Sequence, residues 1–383
     1  MILQDNILPG ATIGILGGGQ LGRMLAMEAK RMGYEVHIYD PTPGGPAAQI
    51  SGLETNASFE DEAALKKFFT QVDVVTFEFE NIPTAALEKL EKSFSIHPRV
   101  DILKICQNRV LEKKFVASLG IRTAPFEEVS SQKSIEEFVA QHGAAILKTA
   151  EFGYDGKGQQ RVDRTSNLVD AWKRFGAQSS IVESVVPFDR EVSVLCARNR
   201  HGEVSTFPVT ENDHHHQILH TSVVPAALSA STQREAERIA RQISETLGLI
   251  GLICVEMFVV GEELYVNELA PRPHNSGHYT LDYCQTSQFE QQIRAICGLP
   301  LGDTSMLTPA ACMINLLGDT WSQAKDGRPL WDQALKTKTA VLHLYGKKEA
   351  KVGRKMGHIC TSASSADEAI RRAKEAKHAL TKI

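Results

Sequence analysis

Two glutamates inside apolar segments form the strongest chemical signal in the sequence. Glu256 and Glu268 lie in LICVEMFVV and ELYVNELA, which a turn at residues 261–263 would join into a hairpin. If that turn has three residues, residue 260 pairs with residue 264 and Glu256 faces Glu268. Facing carboxylates repel unless a cation bridges them, and hard oxygen ligands indicate magnesium or calcium. Two solvated acids are the alternative, which the apolar flanks disfavour. We therefore predict a divalent-cation site.

A glycine-rich segment, EFGYDGKGQQ, follows the apolar run AAIL and Lys148. It lacks the spacing and the following helix of the GxxxxGK[ST] phosphate loop. We predict a strand, a glycine loop and a second strand, in which loop N–H groups can approach phosphates closely because no side chains intervene. Lys148 on the entering strand would supply a fixed positive charge. An ordinary flexible hairpin turn is the alternative interpretation.

A second glycine pattern lies near the start of the chain. Gly17, Gly19 and Gly22 match GxGxxG between a strand and a helix, and Asp40 ends the next strand. The pattern is typical of dinucleotide-binding proteins, so a nicotinamide-dependent dehydrogenase is one interpretation. Gln20 offers a neutral donor and nothing downstream resembles a hydride-transfer site, which favours a single phosphate or a polar small molecule at this helix N terminus. A turn that only packs against the helix is the third alternative.

Three regions would position these residues. Residues 1–110 alternate apolar strands with amphipathic helices such as DEAALKKFFT, which predicts a Rossmann-like, doubly wound parallel sheet. In residues 111–305 we predict three strand pairs, AAILKT with QQRVD, SSIVES with REVSVLCARN, and LICVEMFVV with ELYVNELA, and the helix STQREAERIARQISETLG. Residues 306–383 predict a small β-rich C-terminal domain. The expected fold class is α/β and α+β.

Composition excludes several functional classes. The 383 residues carry 42 basic and 46 acidic side chains, a net charge of −4, so no overall field favours nucleic acid. No apolar run is long enough to span a bilayer, and the N terminus does not resemble a secretory signal. The seven cysteines include no CxxC pair, which suits reduced thiols. We expect a cytoplasmic protein that acts on small molecules.

The order of ILK, FGYDGKG, VESVV, REVSV, VEMFV and VNELAPRPHNSGH resembles the ATP-grasp ligases. Four further segments, GGGQLGRM, FEFENIP, PRPHNSGH and YGKKEAKVGRKMGH, narrow the resemblance to the ATP-dependent carboxylases of microbial purine biosynthesis. It covers nearly the whole chain. It implies an ATP-grasp fold with a flexible lid at about 121–185, the use of ATP, Mg2+ and bicarbonate, and a homodimer. The implied reaction passes through carboxyphosphate and converts aminoimidazole ribonucleotide into N5-carboxyaminoimidazole ribonucleotide.

The resemblance also implies roles for individual residues. ATP would lie between two β-rich subdomains, with its phosphates near Arg109 and Lys148, its ribose on Glu191 and its adenine on the backbone of residues 183–186. The implied ATP-binding set is Arg109, Lys148, Gly153, Tyr154, Asp155, Gly156, Lys157, Gly158, Gln159, Glu183, Ser184, Val185, Val186, Glu191, His214, Asn267 and Glu268. Mg2+ would bind Glu256 and Glu268.

Substrate and catalytic residues follow from the same resemblance. The implied contacts of aminoimidazole ribonucleotide are Gln20, Glu78, Tyr154, Asp155, Arg272, Lys347, Lys348 and Arg354. The implied catalytic set is Arg272, Lys348, His274 and Asn275, of which Arg272, His274 and Asn275 would meet bicarbonate. We expect His215 and His216 to be solvated, because consecutive residues of an extended segment point to opposite sides and a metal site on His214–His216 is disfavoured.

Two other interpretations stay open beside the dehydrogenase. Another ATP-grasp ligase, such as a formate-dependent transformylase or a biotin carboxylase, would share the ATP half of the site. A nucleotide sensor without enzymatic activity would bind ATP without turnover. The sequence identifies no general base.

Overall fold

The computed structural model describes residues 6–151, 158–175 and 179–381. The strands are β1 (Thr12–Leu16), β2 (Glu35–Tyr39), β3 (Leu53–Thr55), β4 (Val74–Phe77), β5 (Phe126–Glu128), β6 (Ala145–Thr149), β7 (Gln159–Val162), β8 (Ser180–Ser184), β9 (Arg190–Arg198), β10 (Val204–Thr206), β11 (Thr210–His215), β12 (Ile218–Val224), β13 (Gly251–Val260), β14 (Glu263–Ala270), β15 (Ala310–Leu317), β16 (Val341–Leu344) and β17 (Lys355–Ala363).

The helices are α1 (Gln20–Arg31), α2 (Ala48–Ser51), α3 (Glu62–Phe69), α4 (Thr84–Leu90), α5 (Val100–Gln107), α6 (Arg109–Ser118), α7 (Gln132–His142), α8 (Leu168–Phe175), α9 (Ala230–Thr246), α10 (Thr280–Tyr283), α11 (Gln288–Ile296), α12 (Asp319–Gln323), α13 (Trp331–Ala334) and α14 (Ala366–Ala379), with short 3-10 turns at Asn275–Gly277 and Lys325–Gly327. No helix of the described residues is both long and apolar enough to cross a membrane.

The N-terminal sheet has four parallel strands in the order β3-β2-β1-β4. Strand β1 is almost entirely buried, as expected for a strand covered on both faces by helices. The apolar face of α1, with Met24 and Leu25, packs in one cluster with Phe289 and Ile293 of α11. The predicted doubly wound region is therefore confirmed.

A nine-stranded antiparallel sheet forms the centre of the molecule in the order β14-β13-β9-β11-β12-β15-β17-β16, with β10 beside β9. Strands β12 and β15 pair from Thr221↔Ile314 to Val224↔Ala311. The strands of residues 306–383 thus extend the sheet of the preceding region. The proposed boundaries after residues 110 and 305 stay predictions.

A smaller sheet, β5-β8-β6-β7, carries helices α7 and α8. The predicted pairings of β6 with β7 and of β13 with β14 are confirmed. The predicted pairing of SSIVES with REVSVLCARN is wrong, because β8 pairs with β5 and β6 whereas β9 lies in the central sheet. Pro187 lies in the segment that crosses between the two sheets. Apolar periodicity marks a strand but does not identify its neighbour.

Candidate active site

The β13–β14 hairpin holds the two acidic residues predicted to face each other. Glu256 pairs directly with Glu268, which confirms that the two acidic residues face each other. The predicted three-residue turn is wrong, because Val260 pairs with Glu263 across a two-residue turn. A bulge between Glu256 and Met257 adds Asn267 to the opposite strand and restores the Glu256–Glu268 pairing.

Each of these carboxylates has a cationic neighbour. Oε1 of Glu256 lies 2.9 Å from Nε2 of His274, and Oε2 of Glu268 lies 3.4 Å from a guanidinium nitrogen of Arg109. Burial alone would raise the pKa of Glu256, but the charge and hydrogen bond of His274 outweigh it and lower the pKa to about 2. An ionised carboxylate of this kind is the donor that a hard divalent cation prefers, so the residues fit Mg2+.

Buried charges surround Glu183 next to this hairpin. Nζ of Lys148 lies 2.9 Å from Oε2 of Glu183, and Nζ of Lys113 lies 3.8 Å from the same oxygen. Burial raises the pKa of Glu183, yet Lys148 and Lys113 lower it to about 2. Arg109 also interacts electrostatically with Glu183. Three cations therefore converge here beside Glu183 and Glu268, which provides fixed positive charge for a polyphosphate.

Helix α6 contributes two functional candidates that the sequence reasoning missed, Glu112 and Lys113. Both are buried, and Glu112 accepts a 2.6 Å hydrogen bond from the N–H of Leu269 on β14. Burial and the nearby charge of Glu268 raise the pKa of Glu112 to about 8. A signal existed, because Lys113 lies three residues from both Val110 and Val116, on the apolar face of α6.

A second cationic region follows β14. Arg272 forms a bidentate ion pair with Glu80, in which its Nη2 donates to Oε1 at 3.0 Å. Burial opposes the charge of Arg272, but Glu80 raises its pKa above the ordinary value. Glu80 was also missed, although it stands two residues from the predicted Glu78. The pair joins residues 192 positions apart, which no local pattern predicts.

His274 and Asn275 complete this region. Nδ1 of His274 lies 2.9 Å from Oγ of Ser276, while its Nε2 faces Glu256. Burial lowers the pKa of His274, but Cys254 and Glu256 raise it to about 10. Within the described residues, both amide atoms of buried Asn275 lack hydrogen-bond partners. Two cations beside an unsatisfied amide form a suitable environment for a small planar anion.

The first glycine loop is closed by side chains of the chain itself. The carboxylate of Glu78 accepts hydrogen bonds from the N–H groups of Gly19 (2.9 Å) and Gly22 (3.2 Å), and Asp40 accepts one from Gly18 (2.7 Å). These carboxylates already satisfy the donors that a phosphate at this helix N terminus would need, which argues against a phosphate there, whereas the predicted polar small molecule stays a prediction. The same hydrogen bonds argue against a dehydrogenase, because the pyrophosphate of a dinucleotide would need these N–H groups. The substrate role of Glu78 stays a prediction.

Glu191 and His214 lie on the neighbouring strands β9 and β11. Their side chains form an ion pair. Burial lowers the pKa of His214, but the hydrogen bond and charge of Glu191 raise it overall. The structure therefore brings together two of the predicted nucleotide contacts.

The C-terminal basic residues lie in the turn between β16 and β17. Lys347 donates to the carbonyl of Lys355 at 2.7 Å, Arg354 donates to the carbonyl of Glu349 at 3.0 Å, and Lys348 is exposed. Nε2 of Gln49 donates to the carbonyl of Gly346 at 2.9 Å. This turn, defined as residues 345–354, thus meets the N-terminal region close to helix α1, where Gln20 is half-buried.

The remaining predicted residues lie at strand ends or outside the described part. Gly158 precedes β7 with φ +72°, and Gln159 pairs with Lys148. Ser184 ends β8. The N–H of Val185 donates to the carbonyl of Ala144 at 3.3 Å, and Val186 follows. Five of the residues predicted to bind ATP lie outside the described residues: Gly153, Tyr154, Asp155, Gly156 and Lys157.

Comparisons with known proteins match three successive regions of the chain. Residues 10–107 match the ribonucleotide synthetase preATP-grasp domain, residues 114–289 the ATP-grasp domain, and residues 311–372 the phosphoribosylaminoimidazole carboxylase C-terminal domain. The chain is 45% identical over 367 residues to the N5-carboxyaminoimidazole ribonucleotide synthase of Bacillus subtilis (strain 168), with 95% of each chain covered.

Solved structures show the same similarity. The ADP complex of an N5-carboxyaminoimidazole ribonucleotide synthetase has a TM-score of 0.92 and 43% identity, with 98% of both chains covered. The synthase of Aspergillus clavatus, solved with ADP and 5-aminoimidazole ribonucleotide, has a TM-score of 0.88 and 30% identity over 97% of this chain and 99% of that chain. The predicted ATP-grasp fold is thereby confirmed.

Proposed function

The chain belongs to the N5-carboxyaminoimidazole ribonucleotide synthase family of ATP-grasp ligases, and from this premise we propose a role for each part of its site. It acts on 5-aminoimidazole ribonucleotide with ATP in purine biosynthesis and forms a carbon–nitrogen bond. Bicarbonate supplies the carboxyl group, and the products are N5-carboxyaminoimidazole ribonucleotide, ADP and phosphate. The observation that carries the assignment is the convergence of Arg109, Lys113 and Lys148 beside the facing carboxylates Glu256 and Glu268.

Lys148, Lys113 and Arg109 hold the phosphates of ATP. The charges of Lys148 and Lys113 are fixed by ion pairs with buried Glu183, and that of Arg109 by a partly exposed ion pair with Glu268, so they need little reorganisation when charge develops on the transferring phosphoryl group. Glu191 and His214 contact the ribose, and the backbone after β8 contacts the adenine. Glu256, Glu268 and the bulged Asn267 hold Mg2+, which neutralises phosphate charge when it is bound.

Arg272, His274 and Asn275 bind bicarbonate. The ion pair with Glu80 fixes the guanidinium of Arg272, and the hydrogen bonds of His274 to Glu256 and Ser276 fix its imidazolium. Both groups keep their charge at neutral pH, because their pKa values are raised. His274 therefore orients and stabilises an anion and does not accept a proton.

The ribonucleotide lies between the N-terminal region and the 345–354 turn. Lys347, Lys348 and Arg354 meet its phosphate, and Gln20 and Glu78 line the opposite side. The hydrogen bond between Gln49 and Gly346 supports this placement, because it joins the two surfaces. Tyr154 and Asp155 of the glycine-rich segment are the further substrate contacts that we propose.

Chemistry then proceeds by two displacements. A bicarbonate oxygen attacks the γ-phosphorus of ATP, the bond to ADP breaks, and carboxyphosphate forms. The carboxyl group then passes to the exocyclic amine of the ribonucleotide, either by direct attack of the amine on carboxyphosphate or through released CO2; the carbon–oxygen bond to phosphate breaks, and the departing phosphate takes up the amine proton. Because carboxyphosphate is labile in water, the ribonucleotide must already be bound when carboxyphosphate forms from bicarbonate and ATP.

The direct test is ADP release measured with ATP and each co-substrate separately and together. We expect release to require both bicarbonate and 5-aminoimidazole ribonucleotide for full rate, with N5-carboxyaminoimidazole ribonucleotide formed in a 1:1 ratio to ADP. A second arm replaces Lys347, Lys348 and Arg354 with alanine and should weaken ribonucleotide binding at unchanged ATP affinity. ADP release that is indifferent to the ribonucleotide, or equal loss of both affinities, would contradict the proposal.

We also propose that the enzyme acts as a homodimer in the cytoplasm. Six of the seven free cysteines are buried and the seventh is half-buried, which supports function in a reducing compartment. Light scattering on the full chain tests the dimer, and a single species at the monomer mass of 42.1 kDa would contradict it.

A further inference from the structure

A cluster of two imidazoles and a carboxylate lies on the β11–β12 hairpin, on the other side of the strand from the His214–Glu191 pair. Asp213 and His215 are two residues apart on β11 and therefore point to the same face. The pairing shifts between Asp213 and His214, which leaves His220 as the extra residue of β12. The bulge turns His220 toward the same carboxylate. One ligand atom from each of the three residues lies within 4.8 Å of the others.

The ligand atoms of this cluster lie close enough together for one metal ion to bind them. Oδ2 of Asp213 lies 3.1 Å from Nε2 of His215 and 3.6 Å from Nδ1 of His220. A tetrahedral ion with bonds of about 2.0–2.1 Å separates its ligand atoms by roughly 3.3 Å, between these two values. The two imidazole rings are stacked with centroids 4.0 Å apart. Because the stacked rings lie in nearly parallel planes, one imidazole must rotate before a single ion can reach both ring nitrogens, and the exposed side chain of His215 has room to do so.

The second observation concerns the ring nitrogen of His220. Its Nδ1 is buried and has no hydrogen-bond partner among the described residues, although the Asp213 carboxylate lies in front of it. Buried polar atoms are rarely left unsatisfied. A cation between Nδ1 and the carboxylate would satisfy both groups. The side chains of Asp213 and His215 are 53% and 57% exposed, so an ion can enter and a water can complete its coordination.

We propose that Asp213, His215 and His220 form a binding site for a divalent transition-metal ion of the Zn2+ class, separate from the Mg2+ ligands Glu256 and Glu268. Two imidazole nitrogens and one carboxylate oxygen are a borderline donor set that suits Zn2+ and disfavours Mg2+ and Ca2+, which prefer oxygen. The ion would join the two strands next to the turn of the hairpin, where His216 and Gln217 have positive φ. It thereby fixes strand β11, which also carries His214.

Positive charges nearby oppose this ion and define the competing interpretation. His220 lines a cavity of about 230 Å3 together with Lys374, Lys377 and His378. An inorganic anion in that cavity would use the lysines and leave Asp213 without a role. Lys377 and His215 act electrostatically against a positive charge on His220, whereas Asp213 favours one. The orphaned nitrogen lies beside the carboxylate of Asp213, and a cation would use both groups, which an anion would not.

The test is calorimetric titration of the full chain, first treated with a chelator, with Zn2+, Mg2+ or inorganic phosphate in separate experiments. We expect one Zn2+ per chain at this site, bound far more tightly than Mg2+, and a higher melting temperature with Zn2+. The His215→Ala/His220→Ala double variant should weaken Zn2+ binding at least ~10-fold and lose the thermal shift. His216→Asn is the matched control, because it removes an imidazole from the same turn and asparagine tolerates its φ of +50°.

Three outcomes would overturn the proposal. Zn2+ binding that survives in the double variant would place the ion elsewhere, for example at Cys254, Glu256 and His274. Equal losses in His216→Asn and in the double variant would indicate nonspecific binding by the histidine-rich turn. Phosphate binding that needs His220, without Zn2+ binding, would assign the region to an anion. Circular dichroism in the presence of chelator establishes that the double variant is folded, and Asp213→Asn provides an independent ligand deletion if it is not.

Discussion

At the scale of single residues, the site is a set of side chains whose charges are fixed by their neighbours. Buried Glu183 and half-buried Glu256 stay ionised because Lys148 and His274 face them. His274 stays protonated for the reciprocal reason. In a medium of low dielectric constant such fixed charges act strongly on a developing phosphoryl charge and require little reorganisation.

The metal assignment predicts the effect of changing Glu268. Glu268→Gln keeps the size of the side chain but removes the negative charge, so we expect Mg2+-dependent ADP formation to fall at least ~100-fold while the melting temperature is unchanged. Steady-state rates across a Mg2+ titration measure this effect. Glu262→Gln on the exposed turn of the same hairpin is the control and should leave the rate as it is. Full activity of Glu268→Gln would show that Glu268 is not a ligand of the metal ion.

The raised pKa of His274 predicts a pH dependence with a definite sign. Its folded pKa of about 10 exceeds the ordinary 6.5, so the stability from its proton is complete below pH 6.5 and is lost as pH rises through 10. At pH 8, nitrogen-detected NMR of histidine-labelled protein should show His274 doubly protonated, with His274→Gln supplying the assignment. His97, whose pKa burial lowers to about 4, should be neutral in the same spectrum. A neutral His274 at pH 8 would refute the fixed-charge interpretation.

At the scale of elements, the first glycine loop shows how one pattern can serve a different purpose. Strand β1, the turn and helix α1 have the geometry of a dinucleotide loop, yet Glu78 from the end of β4 caps the helix. Gly17 adopts φ +107°, and a Cβ there would lie 2.3 Å from Cγ of Glu78. The absence of a side chain at Gly17 therefore leaves room for Glu78, whose carboxylate accepts the hydrogen bonds that a cofactor phosphate would otherwise accept.

Alanine substitutions should distinguish this contact from backbone strain. Gly10→Ala and Gly17→Ala both place a side chain at positive φ, but a Cβ at Gly10 would meet no atom within 4 Å. We expect Gly10→Ala to cost about 1 kcal/mol of unfolding free energy. Gly17→Ala should cost about 1–3 kcal/mol more, because Glu78 must move. Urea denaturation measures both, and equal costs would show that the Glu78 contact is unimportant.

At the scale of the whole molecule, the C-terminal strands extend the central sheet and direct their turn back toward the N-terminal region. Strands β15, β17 and β16 continue the sheet from β12, and the turn after β16 contacts Gln49 of α2. Residues from both ends of the sequence thus meet at one proposed substrate surface. The continuous sheet supplies the rigidity that such an arrangement needs.

Two glycines of the 345–354 turn provide a matched test of this arrangement. A Cβ at Gly346 would lie 2.3 Å from Oε1 of Gln49, whereas at Gly353 the nearest atom is 3.4 Å away, and the φ angles are similar at +72° and +74°. Gly346→Ala should turn the flexible side chain of Gln49 away and break its hydrogen bond to the turn, so we expect the KM for 5-aminoimidazole ribonucleotide to rise about 2- to 10-fold with the KM for ATP unchanged. Gly353→Ala should change both values little. Equal effects of the two substitutions would show that the contact between Gln49 and Gly346 does not contribute to substrate binding.

The sequence by itself determined the types of most elements, the family and the chemical character of the site. Local periodicity and motif order were sufficient for these, because each depends on residues close together in the chain. They identified β13 and β14 as strands and Glu256 and Glu268 as a facing pair. The pairing was right although the predicted turn length was wrong, since the bulge at Asn267 offsets a turn that is one residue shorter.

Only the tertiary structure decided which distant groups neutralise each other. It placed Glu78 on the helix that looked ready for a phosphate, joined Glu80 to Arg272, and buried Glu112 and Lys113 against β14. It also separated β8 from β9 into two sheets. The physical reason is the same for each of these charged groups. A buried charge must find a partner, and that partner is selected by packing between elements, which leaves no periodic trace in the sequence.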